Sequence, residues 1–355
     1  MKNMAKKRKT LPKNFNELIE TKNIDALIAV FDTCEINAYN HGFDKSTALH
    51  TFGIPDELVR WLVEHGADIN FRNHYEKTPL HHQAGYWCGN VALFIDLGAD
   101  ISVRDIYKNT PLHQAAHYCR VQSVRELIAY GADVHAEDDR NNTPLAETLF
   151  GGVRGGIAPM AEVAEILLNA GAKITPSMAE SVERIGEDFE FRRADYSKER
   201  LPETEAGLAK LYELFNVIPV ARRKTYDGVS PIAVPNGTWD EQHEILWQLL
   251  VPSRGQTQTL QGEVIRLSGK LAREIMDNGG INWDDEFRKM LFALVRYLGK
   301  GNPLVFDELS EAEKIVKRLK NGNGDDEPER LMELAVTWVN ANPNPIPLDK
   351  TEYNR

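Results

Sequence analysis

Apolar residues recur every three or four positions along most of the chain, the spacing that places them on one face of an α-helix. In the second half, Leu208, Leu211, Tyr212 and Phe215 fall on one such face within 203–217. Leu260, Val264, Leu267, Leu271 and Ile275 fall on another near 257–277. Start signals accompany the pattern: Thr238 with Glu241 forms a capping box before ILWQLL, and Ser177 with Glu180 forms one at the head of SMAESVERIGEDF. Asn282 and the acidic DDE open a further helix, EFRKMLFALVRYL. SEAEKIVKRL and PERLMELAVTWV are two shorter ones on either side of NGNG, which reads as flexible. FRRADYSKERLPETEA, 191–206, is polar and without apolar period, so it reads as a linker. The expected plan is an all-helical C-terminal domain over 207–341, followed by an extended tail at 342–355 that contains NPNPIPLD.

In the first half the pattern repeats itself. TALH at 47, TPLH at 78, TPLH at 110 and TPLA at 143 are separated by 31, 32 and 33 residues, and each is followed by a glycine word: GADIN at 66, GADIS at 98, GADVH at 131 and GAKIT at 171. Counting back from Ile69 by one more period reaches Ile36 in CEIN, a degenerate first copy with NFNELIE and IDALIAVF as its helices. Thr suits a helix N-cap, Pro the first helical position where no donor is needed, and Gly a left-handed C-cap after amphipathic segments such as VRELIAY.

These words in this register resemble the ankyrin-repeat family over about residues 14–176, with a closing helix to about 190. The resemblance implies an all-α architecture: an ankyrin-repeat solenoid of about five copies over 14–190, made of helix-turn-helix repeats with hairpin-like loops. The copies are not uniform. The second is two residues short between its Thr and Gly and the third one residue short, which predicts clipped first helices. The fifth has Ala146 where histidine is expected, and an insertion around FGGVRGGIAPM.

The resemblance also implies a structural role for His50, His81 and His113, with each imidazole bonded to neighbouring loop backbone. His82, Cys88, His117 and Cys119 then remain as nitrogen and sulfur ligands for zinc. Neighbouring repeats stack about 10 Å apart and no CxxC word is present, so neither a metal site nor a cofactor is expected. Binding is expected instead on the ankyrin concave face and loop tips. NFRNHYEK, SVRDIYKN, GYWC and HYC place Phe71, Arg72, His74, Tyr75, Tyr86, Trp87, Arg104, Tyr107, His117 and Tyr118 there. Aromatic residues and arginine dominate interface hot spots, and a loop tip has no folding reason to be aromatic.

Composition narrows the reading. The chain is 42% hydrophobic and 27% charged, with three scattered cysteines, no apolar run of membrane length and no secretory h-region after its basic start, which points to an intracellular, cytoplasmic protein. Residues 1–13 carry six Lys or Arg and no acid, and read as a basic flexible tail. Residues 14–176 carry 12 basic against 22 acidic residues. So acidic a body favours a basic protein partner and disfavours nucleic acid, outside local patches such as KKRK and ARRK.

No catalytic word is complete. HEILW at 243 has Trp247 where a zincin needs its second histidine, and GGVRGG lacks the lysine of a phosphate loop. The expected function is protein binding, as an adaptor, inhibitor or immunity-type protein. The alternative is an enzyme or small-ligand protein whose C-terminal helical domain forms a pocket from Arg254, Gln258, Glu263, Arg266, Asn282 and Trp283, near the glycines at 262 and 269 that invite close approach.

Overall fold

A computed structural model describes residues 6–151, 156–322 and 327–354; most of GGVRGG and half of NGNG lie outside the described residues. Within them the chain forms sixteen α-helices and two short strands. It divides into two compact units. One comprises residues up to Gly186 with Lys198–Val220, the other Glu187–Ser197 with the chain from Ala221 onward.

The first unit opens with β1 (Arg8–Thr10), which pairs in parallel with β2 (Cys34–Tyr39) across α1 (Phe15–Thr21) and α2 (Ile24–Thr33). Part of the stretch read as a flexible basic tail is therefore a strand, and the fold is not purely helical. The free edge of β2 supplies backbone partners, Leu11 is buried, and Lys7 Nζ donates to the Phe31 carbonyl at 2.6 Å.

Each later copy starts at its threonine. Thr47 precedes a 3-10 turn (Ala48–His50) and then α3 (Asp56–Glu64). Thr78 precedes α4 (Pro79–Gly85) and α5 (Val91–Asp96). Thr110 precedes α6 (Pro111–His117) and α7 (Val121–Ala129), and α8 (Pro144–Gly151) and α9 (Ile157–Asn169) follow. Gly66, Gly98, Gly131 and Gly171 all adopt φ between 89° and 98°, as the end of each second helix demands. First helices pack in succession, α4 on α6 and α6 on α8, and second helices likewise, α5 on α7 and α7 on α9.

The expected clipping holds for the second copy, whose first helix shrinks to the 3-10 turn. It fails for the third. There α4 has seven residues, as α6 does, and the shortening falls on α5, with six residues against nine in α7. After Tyr86 the chain folds back so closely that a Cβ at Gly89 would lie 2.0 Å from the Gln83 carbonyl oxygen, so the turn consumes residues from the second helix.

Helix α10 (Pro176–Arg192) starts one residue before the expected capping box: Pro176 takes the first helical position and Ser177 lies inside the helix, its hydroxyl 3.0 Å from that of Thr175. Helix α11 (Leu201–Phe215), which begins inside the segment read as a linker, packs on α9. A Cβ at Gly207 would meet the Ala158 backbone at 2.6 Å.

In the second unit α12 (Trp239–Leu250), α14 (Asp285–Leu298) and α16 (Glu327–Ala341) surround α13 (Leu260–Met276), and α15 (Phe306–Leu319) packs on α14 and α16. The capping box of Thr238 and Glu241 is present. Helix α14 is capped by Asp284 of the acidic word, not by Asn282; Asp284 accepts from the Glu286 and Phe287 amides. Gly269 serves helix packing: a Cβ there would lie 2.6 Å from the Trp247 ring of α12.

Residues 342–354 are extended and lie along this core. Ile346 accepts from the Leu260 amide, and the Gln261 side chain binds the backbone of Asn342, Asn344 and Ile346. Among the described residues, no helix is long and apolar enough to cross a membrane.

Candidate partner-binding surface

The loop tips are built by buried polar side chains. Asn73, Asp105 and Asp138 each accept, through Oδ1, from the amides two and four residues later: Tyr75 and Lys77, Tyr107 and Asn109, Arg140 and Asn142. The intervening Glu76, Lys108 and Asn141 are left-handed, with φ of 55° to 61°. Successive tips are also joined by backbone: His74 N donates to Asp44 O, Ile106 N to Tyr75 O, and Asp139 N to Tyr107 O. Backbone and buried carboxamide or carboxylate thus hold the tips, and the exposed rings of Tyr75 and Tyr107 are left over for contact.

Behind the tips runs a second ladder. In each of three copies the threonine amide and hydroxyl meet Nδ1 of the histidine, and Nε2 faces a carbonyl just before the next threonine. His50 reaches Lys77 O at 3.0 Å, His81 reaches Asn109 O at 3.0 Å, and His113 reaches Asn142 O at 3.1 Å. Nδ1 accepts from the amide, so Nε2 carries the proton and the ring is neutral. Burial pushes His50 and His81 down to about 3 and lowers His113 as well. The ladder is the role implied for these residues by the repeat.

The nitrogen and sulfur groups weighed above as zinc ligands stand apart. His117 pairs with Glu147 at 3.0 Å, Cys88 is exposed, and Cys119 is buried, its thiol pushed up to about 12 by that burial. Among the described residues no group of three or more His, Cys, Asp or Glu is placed to hold a metal.

The expected contact residues divide by surroundings. Trp87 is 72% exposed, and His74, Tyr75 and Tyr107 also face solvent. Phe71 sets its edge on His50. Tyr118 covers Gly85 and lies under Arg120, and Arg104 donates to the Lys108 and Glu137 carbonyls, so these are partly spent on neighbouring copies. Arg72 pairs with exposed Glu76.

Next to them lies a cleft of about 950 Å³, which the sequence reading did not locate. Its floor and walls come from α1, the tip at 40–47, the turn at 50–53, and His82 and Tyr86 of the third copy. Phe52, half exposed, stacks on Tyr86 at 4.8 Å and on His82 at 5.5 Å, and Trp87 continues from Tyr86 at 5.9 Å. On the tip side Phe43, 76% exposed, meets the rings of His74 and Tyr75.

Asp44 also lines the cleft. Burial pushes its carboxyl up, but the Ser46 hydroxyl at 2.5 Å and the Asn40 amide at 3.1 Å outweigh that and hold it below the usual carboxylate range. A signal for Phe43 and Asp44 did exist: they stand 31 residues before His74 and Tyr75, but no glycine word precedes that first tip to draw attention to it.

Residues 95–146 match the family model for ankyrin repeats (many copies). This ankyrin segment contains α6 and α7, the tip at 104–109 and the His113 rung of the ladder. Ankyrin repeats generally mediate protein–protein interaction. No curated protein matches the chain.

The six residues expected to share a C-terminal pocket are not gathered in one place. Arg254 is exposed and faces Asp195 at 3.5 Å, and Gln258 is exposed. Glu263 and Arg266 are enclosed, paired at 2.6 Å, with Tyr353 donating to Glu263 at 2.6 Å. Burial raises the Glu263 carboxyl, but the Arg266 guanidinium beside it brings it below its usual range. Asn282 binds Glu274, eleven positions or about 16 Å along α13 from Glu263, and Trp283 stacks on Phe287 at 5.3 Å. Glu263 and Arg266 serve the core instead, while Arg254 and Gln258 lie at the surface.

Proposed function

We propose that the chain is a stoichiometric binding protein: an ankyrin-repeat solenoid over about residues 14–190 whose concave face and first tips grip a partner protein, as an adaptor, inhibitor or immunity-type protein does. The observation that carries this reading is two groups of rings that reach solvent, Phe43 with Tyr75 on the tips and Phe52 with Tyr86 and Trp87 at the helix ends, beside a cleft of about 950 Å³ that Phe52 and Tyr86 line. Apolar rings left in water without a folding role mark an interaction surface. The three free cysteines fit action in a reducing compartment.

The test is photo-crosslinking in lysate of the source cells with p-benzoylphenylalanine at Trp87, and, as a control, at Phe306, which is even more exposed, in the second unit. One protein crosslinked in stoichiometric amount at position 87, and lost in Phe52→Ala, supports the reading. Crosslinking confined to position 306, or none at 87, rejects it.

A further inference from the structure

The cleft between the first tip and the second-copy turn carries a charge that nothing in the described structure pairs. Asp44 Oδ1 accepts from Asn40 and Oδ2 from Ser46, both neutral donors, and no ion pair reaches the carboxylate. Its backbone neighbour is bare: a Cβ at Gly42 would lie 2.6 Å from Oδ1, so any other residue there would crowd the carboxylate. The nearest basic rings do not supply a positive charge. His50 has both nitrogens bonded, and His82 packs edge-on against it at 5.1 Å while its Nδ1 meets the His50 carbonyl. Burial pushes these rings down to about 3 and about 4, so both are neutral near pH 7. The Phe52–Tyr86 stack lines the same cleft, with the negative potential of aromatic faces.

We infer that this cleft receives one cationic side chain, the guanidinium or ammonium of an arginine or lysine of the partner, with Asp44 as counter-charge and Phe52 and Tyr86 among its lining. The inference deepens the binding reading above and rests on it. A cation is the one group that gains from both the carboxylate and the ring faces. The surrounding body, with 22 acidic against 12 basic residues over 14–176, draws it in. Lys13, Glu20 and Lys22 also line the cleft, and the two lysines make an anion the competing occupant.

The full chain is titrated with three probes, the N-acetyl methylamides of arginine, citrulline and glutamate, while the ring signals of His82 and Tyr86 are followed by NMR; unchanged His113 signals report an intact ladder. The expected result is saturable binding of the arginine probe on the order of millimolar. Citrulline and Asp44→Asn should each weaken it about tenfold, and Phe52→Ala to a similar degree. Equal binding of citrulline, preferred binding of the glutamate probe, or no saturable shift overturns the inference. The crosslinked partner separates the two levels. If Asp44→Asn leaves crosslinking at position 87 intact, the cation inference falls and the binding reading stands. Arginine binding without any partner at position 87 leaves the cation pocket and removes the binding reading.

Discussion

Both units bury polar side chains, but they satisfy them over different distances. In the first, His50, His81 and His113 each reach the same kind of carbonyl 27, 28 and 29 residues ahead, one copy to the next. In the second, Glu263 needs Tyr353 from 90 residues away, and Gln261 needs backbone from 81 to 85 residues away. Stability in the first unit is thus a sum of neighbour terms, and damage there stays local. In the second it is collective: α13 is buried nearly all round, and a change at its centre is felt by every helix that touches it.

The comparison is broken most severely at Glu263. Replacing it by Ala leaves Arg266 buried without its partner, and chemical denaturation should show a loss of about 3–5 kcal/mol. Glu263→Leu with Arg266→Met should recover most of that, because removing both charges removes the penalty. If the single and double variants are equally unstable, the pair is not what holds α13.

Acid separates the units next. Burial pushes His50 and His81 down to about 3 and His82 and His243 to about 4. These rings stay neutral in the fold while the unfolded chain takes up protons below about pH 6.5, so the unfolded state binds more protons across that window. Each such ring therefore costs stability as pH falls from about 6.5 towards its folded value, at ~1.4 kcal/mol per pH unit. Three of the four lie in the first unit, where His113 shifts the same way. Hydrogen exchange between about pH 6 and 4 should thus show steeper loss of protection there than in the second unit. Parallel losses would contradict the assignment of neutral ladder rings.

A smaller effect is expected from His81→Ala, which strands the Thr78 amide and leaves the Asn109 carbonyl with the Asp105 amide alone among the donors named. Its cost should be about 1–3 kcal/mol, with exchange accelerating in the second, third and fourth copies and little in the second unit. Gly269→Ala tests the other side: its methyl enters the Trp247 ring, for about 1–3 kcal/mol in thermal or denaturant unfolding, and Trp247→Leu should relieve part of it. Last, Phe52→Ala removes a ring that is half in water and should change stability by less than about 1 kcal/mol while abolishing partner crosslinking at position 87.

What could be read from the sequence follows the same division. Thr, Pro, His and Gly recur at fixed spacing because each copy solves the same local problem, so the helices after Thr78, Thr110 and Thr143 and the role of the histidines were legible. The exposure of Trp87 at the turn after α4 was legible as well, whereas the stack of Tyr86 on Phe52 was not. Phe43, Asp44 and Phe52 were not, because the first two copies depart from the pattern where the cleft forms. In the second half, helical spacing gave the helices, but Glu263 and Arg266, one turn apart beside two glycines, looked like pocket residues. Only the docking of residues 342–354, a long-range event with no local signature, shows that they face Tyr353 in the core.

That docking also orders events during synthesis. A histidine rung closes once fewer than 30 further residues have been made, so the first unit can set copy by copy. Glu263 and Arg266 wait 90 residues for the hydroxyl of Tyr353, which at ribosomal speeds of about 5–20 residues per second is roughly 5–18 s. For that interval the centre of the second unit holds an ion pair one partner short, and chaperones have their longest opportunity there.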